Sequence, residues 1–353
     1  MLIDKSAPGR PDMDANQGHC SVEEPILSVV VIGRNEGKRL SACLQSVMAI
    51  GVAVKAFEVI YVDSSSSDDS VERAGRFKAT VIQVHPDRPC AAVGRNAGWR
   101  VARAAIVLFL DGDTILAPDF VGYAIQQFAD PNVAVVFGDR REVDTDTSIY
   151  NRVLDLDWIP PRGAIELCGG DALIRREVLE RVNGYDERLI AGEDAELCSR
   201  IRALGWKVIH LDRRMVGHDL AIHRFSQYWR RSVRTGYAYA EVSERFRNSA
   251  LPVWSREAHS NRVRGGATLA MLAGSLVLSL AARSILPITT VVLIIAGLAV
   301  RTAIRSQWKC ADLKTRLLYG FHSHLAQIPM LFGQLRYRYN RLRDQSAALI
   351  EYK

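Results

Sequence analysis

The sequence predicts an α/β domain built on a mostly parallel sheet flanked by helices, followed by a C-terminal helical region that associates with a membrane. Three observations carry this prediction. Residues 105–114 read AIVLFLDGDT, an apolar run without polar alternation, as expected of a strand covered on both faces, which breaks into two aspartates around a glycine. Ahead of it, apolar strands alternate with stretches of helical spacing, the rhythm of right-handed crossovers and parallel pairing. Behind it, two apolar stretches lie between Gly265 and Val300.

Composition narrows the classes. At 353 residues the chain holds one large domain or a domain with an appendage, and 48% hydrophobic content supplies a core. The net charge of +7 comes without a nucleic-acid motif, and the cations gather from Arg213 onward, which favours an anionic membrane surface and excludes nucleic acid as partner. Cys20, Cys43, Cys90, Cys168, Cys198 and Cys310 form no CxxC pairs, so reduced, mostly buried cytosolic thiols are expected and a zinc site or disulfide framework is not. Residues 1–25 are polar, with Pro8 and Pro11, and read as a loose tail without a secretory signal.

In order along the chain, Leu27–Ile32 is the first strand, ending at Gly33-Arg34-Asn35-Glu36, and Leu40, Leu44, Val47 and Met48 place a helix after it. Glu58–Val62 is the second strand; it runs into Asp63, four serines, Asp68 and Asp69, residues suited to cradle a nucleotide or to cap the next helix. Ala79–Val84 is the third strand. Arg95-Asn96-Ala97-Gly98 opens a helix through Ala105 into the central strand. Asp111 and Asp113 then stand where a loop leaves the carboxyl edge of the sheet, with Gly112 letting backbone come close. Such a pair suits a hard divalent cation, a solvated Asp-Gly turn being the plain alternative.

Further on, Asp119–Ala129 is expected as a helix, Val133–Phe137 as a strand, Thr145–Gly163 as a loop broken by Pro160-Pro161, and Arg176–Val182 as a short helix. Gly192-Glu193-Asp194 precedes a helix with Leu197, Ile201 and Leu204 on one face, and Lys207–Leu211 is the last strand, with His218 after it. Residues 224–262 mix arginines with aromatics, in helices that lie at a membrane interface or pack on the domain. Within 263–303, Gly265–Ala282 and Ser284–Val300 are two arms of 17 or 18 residues divided by Arg283. As helices they reach about 26 Å, just under a bilayer core, so a tight hairpin that spans or dips into the membrane is expected. Arg262 and Arg264 before it and Arg301, Arg305 and Lys309 after it put both ends in the cytoplasm. Residues 304–353 form an amphipathic basic tail, with Leu313–Leu335 as one stretch containing Pro329 and an arginine-rich end suited to an anionic leaflet.

Four segments occur in one order: VDSSSSDDS (62–70), RNAG (95–98), LFLDGDT (108–114) and the run from Cys168 to Trp206 that contains GYDERLIAGEDAELCSRI. In this order and spacing, residues 26–236 resemble the family-2 glycosyltransferases of the GT-A nucleotide-diphospho-sugar transferase fold. The resemblance implies a GT-A domain over 26–223 in which Glu36 and Asp63 hold the base and ribose of a nucleotide, Arg34 lines the same pocket and Arg95 approaches the diphosphate. It implies that Asp111 and Asp113 hold Mg²⁺ or Mn²⁺, with His218 as a further metal ligand, and that Asp194 is the catalytic base, with Glu193 shaping the acceptor site. Capping of its own helix is the structural alternative for Asp194.

The implied reaction is inverting transfer from a nucleotide sugar, a uridine one being the commonest choice, to a lipid-linked or glycan acceptor at the inner membrane, with the catalytic domain cytoplasmic and glycan-assembly proteins as partners. Two departures qualify this. Ser64 stands where a second aspartate is usual, and Gln227-Tyr-Trp-Arg-Arg231 carries arginine in place of the final tryptophan of the QxxRW element of processive members. The second argues for single-sugar transfer. A non-catalytic nucleotide-sugar-binding subunit is the competing reading. A nucleotidyltransferase is the other, but it calls for a glycine-rich, lysine-bearing phosphate loop, which Gly33-Arg34-Asn35-Glu36 is not.

Overall fold

The computed structural model describes residues 24–159, without 53 and 55, and 167–344. Strand β1 (Leu27–Gly33) leads to α1 (Lys38–Met48), β2 (Phe57–Asp63), α2 (Ser70–Gly75), β3 (Thr80–Gln83), α3 (Ala91–Val101) and β4 (Ile106–Asp111). There follow β5 (Thr114–Leu116), α4 (Phe120–Gln127), β6 (Val133–Glu142), α5 (Ile149–Asp157), β7 (Ala172–Arg175), α6 (Arg176–Arg181), α7 (Glu193–Ala203) and β8 (Lys207–His218). Helices α8 (Phe225–Arg245), α9 (Ser255–Ala281), α10 (Leu286–Arg305), α11 (Leu313–Leu325) and α12 (Gln327–Leu342) complete the described chain.

The strands form one sheet in the order β3-β2-β1-β4-β7-β6-β8-β5. Strands β3, β2, β1 and β4 pair in parallel, as the sequence predicts, and the register sets Gly33 beside Asp63 and Ile32 beside Asp111. Three strand ends therefore share one edge. Burial explains why: Leu27–Ile32 and Ile106–Leu110 are buried throughout, covered by Leu40, Leu44 and Val47 of α1 and by Ala92 and Trp99 of α3.

Beyond β4 the sheet is mixed. Strand β7 lies antiparallel between β4 and β6, and β5 pairs antiparallel with β8. Neither is legible in the sequence, because elements of four and three residues show no period. Strands β6 and β8 run past the predicted Phe137 and Leu211 to Glu142 and His218, pairing in parallel across irregularities at Asp139. His218 thus ends a strand.

Other expectations need correction. Helix α3 starts at Ala91, after an extended Cys90, so Arg95–Gly98 lies inside the helix and the helix stops at Val101. Gly98 is inside because a Cβ there would overlap the Val30 side chain of β1. Within the predicted loop Thr145–Gly163, α5 forms where Ser148 caps Asn151 N and Val153, Leu154 and Leu156 are buried; Pro160–Gly163 lies outside the described residues. Leu204 is exposed, since α7 ends at Ala203. Cys43, Cys90, Cys168 and Cys198 are buried free thiols, Cys310 is half-buried, and Cys20 lies outside the described residues.

Helix α8 packs rather than lying open at a surface. Tyr228 joins Val153, Leu154, Leu220 and Ile222 of the α/β domain, while Tyr237 meets Tyr337 of α12 edge-on at 5.3 Å. Helix α9 has 27 residues and α10 has 20, longer than the predicted arms because the polar segment Ser255–Arg264 continues the same helix; 27 residues reach about 40 Å. Both are long and apolar enough to cross a membrane, and Leu276, Val277, Leu278, Leu280, Val292 and Leu293 face outward. The stretch Leu313–Leu335 divides at Ala326 into α11 and α12, with Pro329 in the first turn of α12, where its missing N–H costs no helical bond.

Glycines let the C-terminal helices touch. A Cβ at Gly236 would run into the Met330 carbonyl, one at Gly333 into the Val233 carbonyl, and one at Gly320 into the Ala299 carbonyl. Backbone meets backbone across α8 and α12 and across α10 and α11. Gly236→Ala is expected to destabilise the protein by about 1–3 kcal/mol through overpacking, read as a lower melting temperature, whereas Gly266→Ala, which has open space inside α9, leaves it unchanged or slightly raised. Equal melting of the two variants would contradict this packing.

Candidate active site

The shared edge of β1, β2 and β4 frames a cleft of about 460 Å³ whose wall includes Arg34, Glu36, Arg39 and Ser64 on one side and Asp111, Asp113, Arg140 and His218 on the other. Asp63 is 1% exposed and does not reach it. Its Oδ1 accepts from Tyr61 Oη at 2.9 Å and Ser66 Oγ at 2.6 Å, and its Oδ2 accepts from Ser66 N at 2.8 Å. The carboxylate shapes the serine loop. The serines then tie the β1 loop in place: Asn35 N donates to Ser66 Oγ at 2.9 Å, and Glu36 N and Gly37 N donate to Ser70 Oγ at 3.1 and 3.0 Å. Asn35 and Gly37 both take positive φ in this turn.

Arg95 lies 2% exposed at the floor. Its Nη2 donates to Asp111 Oδ1 at 2.8 Å and its Nη1 to Glu193 Oε1 at 2.6 Å, so it joins the end of β4 to the start of α7. It is placed as a tie between two carboxylates, where the sequence suggested approach to a diphosphate. The other oxygen of Asp111 accepts from Arg140 Nη2 at 3.1 Å, and Asp111 N donates to Asp171 Oδ1 at 3.0 Å. Burial disfavours the Asp111 carboxylate, but Arg95 and Arg140 outweigh it and hold its pKa well below the usual range. Asp171 is pushed up to about 6 by burial, with Arg140 opposing and Asp111 adding to the rise. Arg140 and Asp171, both unforeseen, sit in β6 and just before β7; only the pairing of those strands would have signalled them.

Asp113 is 5% exposed, and His218 Nε2 stands 3.4 Å from its Oδ2. Strand β5 makes this contact: Thr114 pairs with His218, and Asp219 N donates to Asp113 O at 3.0 Å. Burial, then Arg140, keeps the imidazole neutral by pushing its pKa well below the ordinary value. The ring meets Trp158 edge-on at 5.0 Å, and the Arg140 guanidinium lies 5.3 Å from the Trp158 centroid. Among the described residues no three His, Cys, Asp or Glu side chains converge to enclose a metal ion, since the Asp111 oxygens turn to arginines. Asp113 and His218 nevertheless fit a divalent cation that takes its remaining ligands from phosphate and water. They supply a carboxylate and a neutral imidazole on the cleft wall, and the buried His218 Nδ1 has no hydrogen bond.

Asp194 is the second residue of α7, which starts after Gly192 at φ 84°. Among the described residues no side chain caps the helix, and Asp194 Oδ1 accepts from the adjacent Ala195 N at 2.8 Å. Its carboxyl is pushed up to about 6, first by burial and then by Glu193, with Arg95 opposing. Asp194 lines the cleft and also a second cavity of about 860 Å³ between the α/β domain and α8, α9, α11 and α12. Arg140, Gly192 and Arg234 line both spaces as well.

Comparison with known proteins bears on the family and the fold. A family model described as glycosyl transferase family group 2 matches residues 106–304, and one for glycosyl transferase family 2 matches residues 28–182. A pre-mycofactocin glycosyltransferase of Mycobacterium tuberculosis is 26% identical over 209 residues, which is 55% of this chain and 42% of that protein. Glycosyltransferase AglE of Haloferax volcanii is 23% identical over 195 residues, 52% of this chain and 64% of the other. The chain thus spans about half the length of these relatives. In fold it is similar to the mannosyltransferase PcManGT from Pyrobaculum calidifontis, solved with GDP-Man and Mn²⁺, at a TM-score of 0.63 and 20% identity, covering 90% of this chain and 88% of that one.

Removing Arg95 strands two carboxylates in the floor. Arg95→Ala is expected to cost about 3–5 kcal/mol in chemical denaturation, and Arg95→Lys to recover only part of it, because one ammonium cannot fork between Asp111 and Glu193. An unaltered denaturation midpoint in Arg95→Ala would show that the fork adds nothing.

Proposed function

The chain belongs to the family-2 glycosyltransferases, and from that premise we propose that it is an inverting transferase moving one sugar from a nucleotide-diphosphate donor to a hydroxyl of a lipid-linked or glycan acceptor at a membrane. The observation that carries this reading is the position of Asp194 in the wall of both cavities, one fitted to a donor and one to an acceptor. In this reading the nucleotide lies along Arg34 and Glu36, with its diphosphate toward Asp111 and Asp113. When bound, Mg²⁺ or Mn²⁺ at Asp113 and His218, beside Asp111, supplies positive charge to the departing diphosphate.

The step is a single displacement. Asp194 takes the proton of the acceptor hydroxyl as that oxygen bonds to the anomeric carbon; the bond from this carbon to the diphosphate oxygen breaks, and the nucleoside diphosphate leaves with the electron pair. Attack from the face opposite the leaving group inverts the anomeric centre. A carboxyl whose pKa lies near 6 is ionised at neutral pH yet basic enough to accept the proton. Arg95 keeps Asp111 and Glu193 in register while this happens. The helices α9 and α10 cross the membrane in this reading, with the flanking Arg262, Arg264, Arg301, Arg305 and Lys309 holding both ends and the α/β domain in the cytoplasm. Arg231 in place of tryptophan supports single transfer rather than polymer export.

Purified protein with Mn²⁺ and a panel of UDP- and GDP-sugars is expected to turn over one donor, and a chelator to stop it until Mn²⁺ is restored. Asp194→Asn should lower kcat by about 10²–10⁴-fold while nucleotide affinity holds. In wild type, kcat/KM should fall as pH drops through about 6, because the base must be deprotonated. Wild-type turnover by Asp194→Asn would remove Asp194 from the chemistry.

A further inference from the structure

The place of Asp194 is set by a turn of backbone. Its carboxyl accepts from Ala195 N at 2.8 Å, inside its own helical turn, so the side chain goes where residues 192–195 put it. The Arg95 fork holds that turn from the cleft, through Glu193. From the second cavity the turn is met by the helices that close that space, and there the contact is an indole. A Cβ at Gly192 would lie 2.6 Å from Trp254 Cζ3, 3.0 Å from Trp254 Cη2 and 3.1 Å from Val242 Cγ2, so the ring edge of Trp254 rests on the backbone of Gly192. Gly192 takes φ 84°, and a side chain at this position would meet both strain and the ring.

Trp254 reaches Gly192 from an unusual backbone. It stands immediately before α9, at φ 53° and ψ 17°, a left-handed conformation that a bulky L-residue rarely takes. Strain of this kind persists only where the surroundings hold it. Here they do: Leu189, Ala195, Val242 and Val253 are buried together with Trp254 packed against them, and Tyr239 of α8 meets the indole edge-on at 5.2 Å. The stem of the apolar hairpin thus begins with a strained residue whose ring touches the turn that carries Asp194.

We propose that Trp254 is a positioning residue for the base: its ring braces the Gly192–Asp194 turn from the second cavity while the Arg95 fork braces it from the cleft, so that the stem of α9 as well as the α/β domain sets where the Asp194 carboxyl stands. This deepens the function proposed above and rests on it. Without the ring the turn is held from the cleft alone, and a base displaced by about 1 Å loses about a hundredfold in rate.

Donor hydrolysis by the full detergent-solubilised chain with Mn²⁺ tests this, because water takes the place of the acceptor and no lost acceptor contact can account for the result. Trp254→Ala is expected to lower kcat at least about tenfold with donor KM and UDP or GDP affinity unchanged, and Trp254→Phe to recover most of that loss. In an Asp194→Asn background Trp254→Ala should cost less than about twofold more, since it acts through that carboxyl. A full second loss in the double variant, or wild-type kcat in Trp254→Ala, overturns the proposal. Hydrogen exchange of the Glu196 amide, which donates to the Gly192 carbonyl at 3.0 Å, reads the turn itself and should quicken at least about tenfold in Trp254→Ala. Wild-type exchange there overturns the brace. Trp254→Leu, which keeps apolar volume but not the ring, carries both measurements if the alanine variant does not fold. Undiminished turnover by Asp194→Asn sinks the proposed base, and the exchange rate then decides the brace on the turn by itself.

Discussion

The buried fork of Arg95 between Asp111 and Glu193 is the constraint on which the rest of the site depends. It joins the end of a central strand to the first residue of the helix that carries Asp194, two points that the chain separates by 82 residues. An arginine so enclosed is matched by two close carboxyl groups, and each partner is in turn held by the fork. Asp111 stays charged through it, Glu193 is fixed beside Asp194, and the like charge of Glu193 adds to burial in raising the Asp194 carboxyl. One guanidinium thus sets the spacing between the sheet edge at Asp111 and the Asp194 carboxyl.

A second constraint comes from the helices behind the domain. Glycines at 236, 333 and 320 bring backbones together, and buried amides lock α9 to α12: Asn261 Nδ2 donates to the Gln327 carbonyl at 3.0 Å, and Gln334 Nε2 donates to the Ala258 carbonyl at 3.0 Å. The apolar hairpin is therefore not tethered by a loose linker. Its stem is part of the wall that faces Asp194, with Trp254 packed on Gly192 at the start of α7. In physical terms, a stem packed on the domain fixes where the apolar hairpin leaves it, without an ordering cost for a mobile connection.

Much of this was legible from sequence. The unbroken apolar runs of β1, β2 and β4 identify buried parallel strands, since strands covered on both faces have no polar side to alternate. The acidic and small residues after them mark the sheet edge, and the apolar stretches mark the hairpin. Local pattern therefore gave the architecture, the Asp-Gly-Asp turn and the acidic start of α7. It did not give the bonds by which Tyr61 and Ser66 hold Asp63, and it failed for α3, which starts after the extended Cys90 rather than at the RNAG residues.

What the tertiary structure alone decided is which distant residues share the site. His218 meets Asp113 because the three-residue β5 pairs with the far end of β8, and Arg140 and Asp171 meet Asp111 because β7 lies beside β4 and β6 beside β7. The second cavity exists because α8, α9, α11 and α12 fold back over that edge. The sequence by itself determined the elements, through periodicity and burial that act over a few residues. It could not determine these meetings, because strand order, register and the closing of helices over a sheet are settled by contacts between segments far apart in the chain, which no local pattern records.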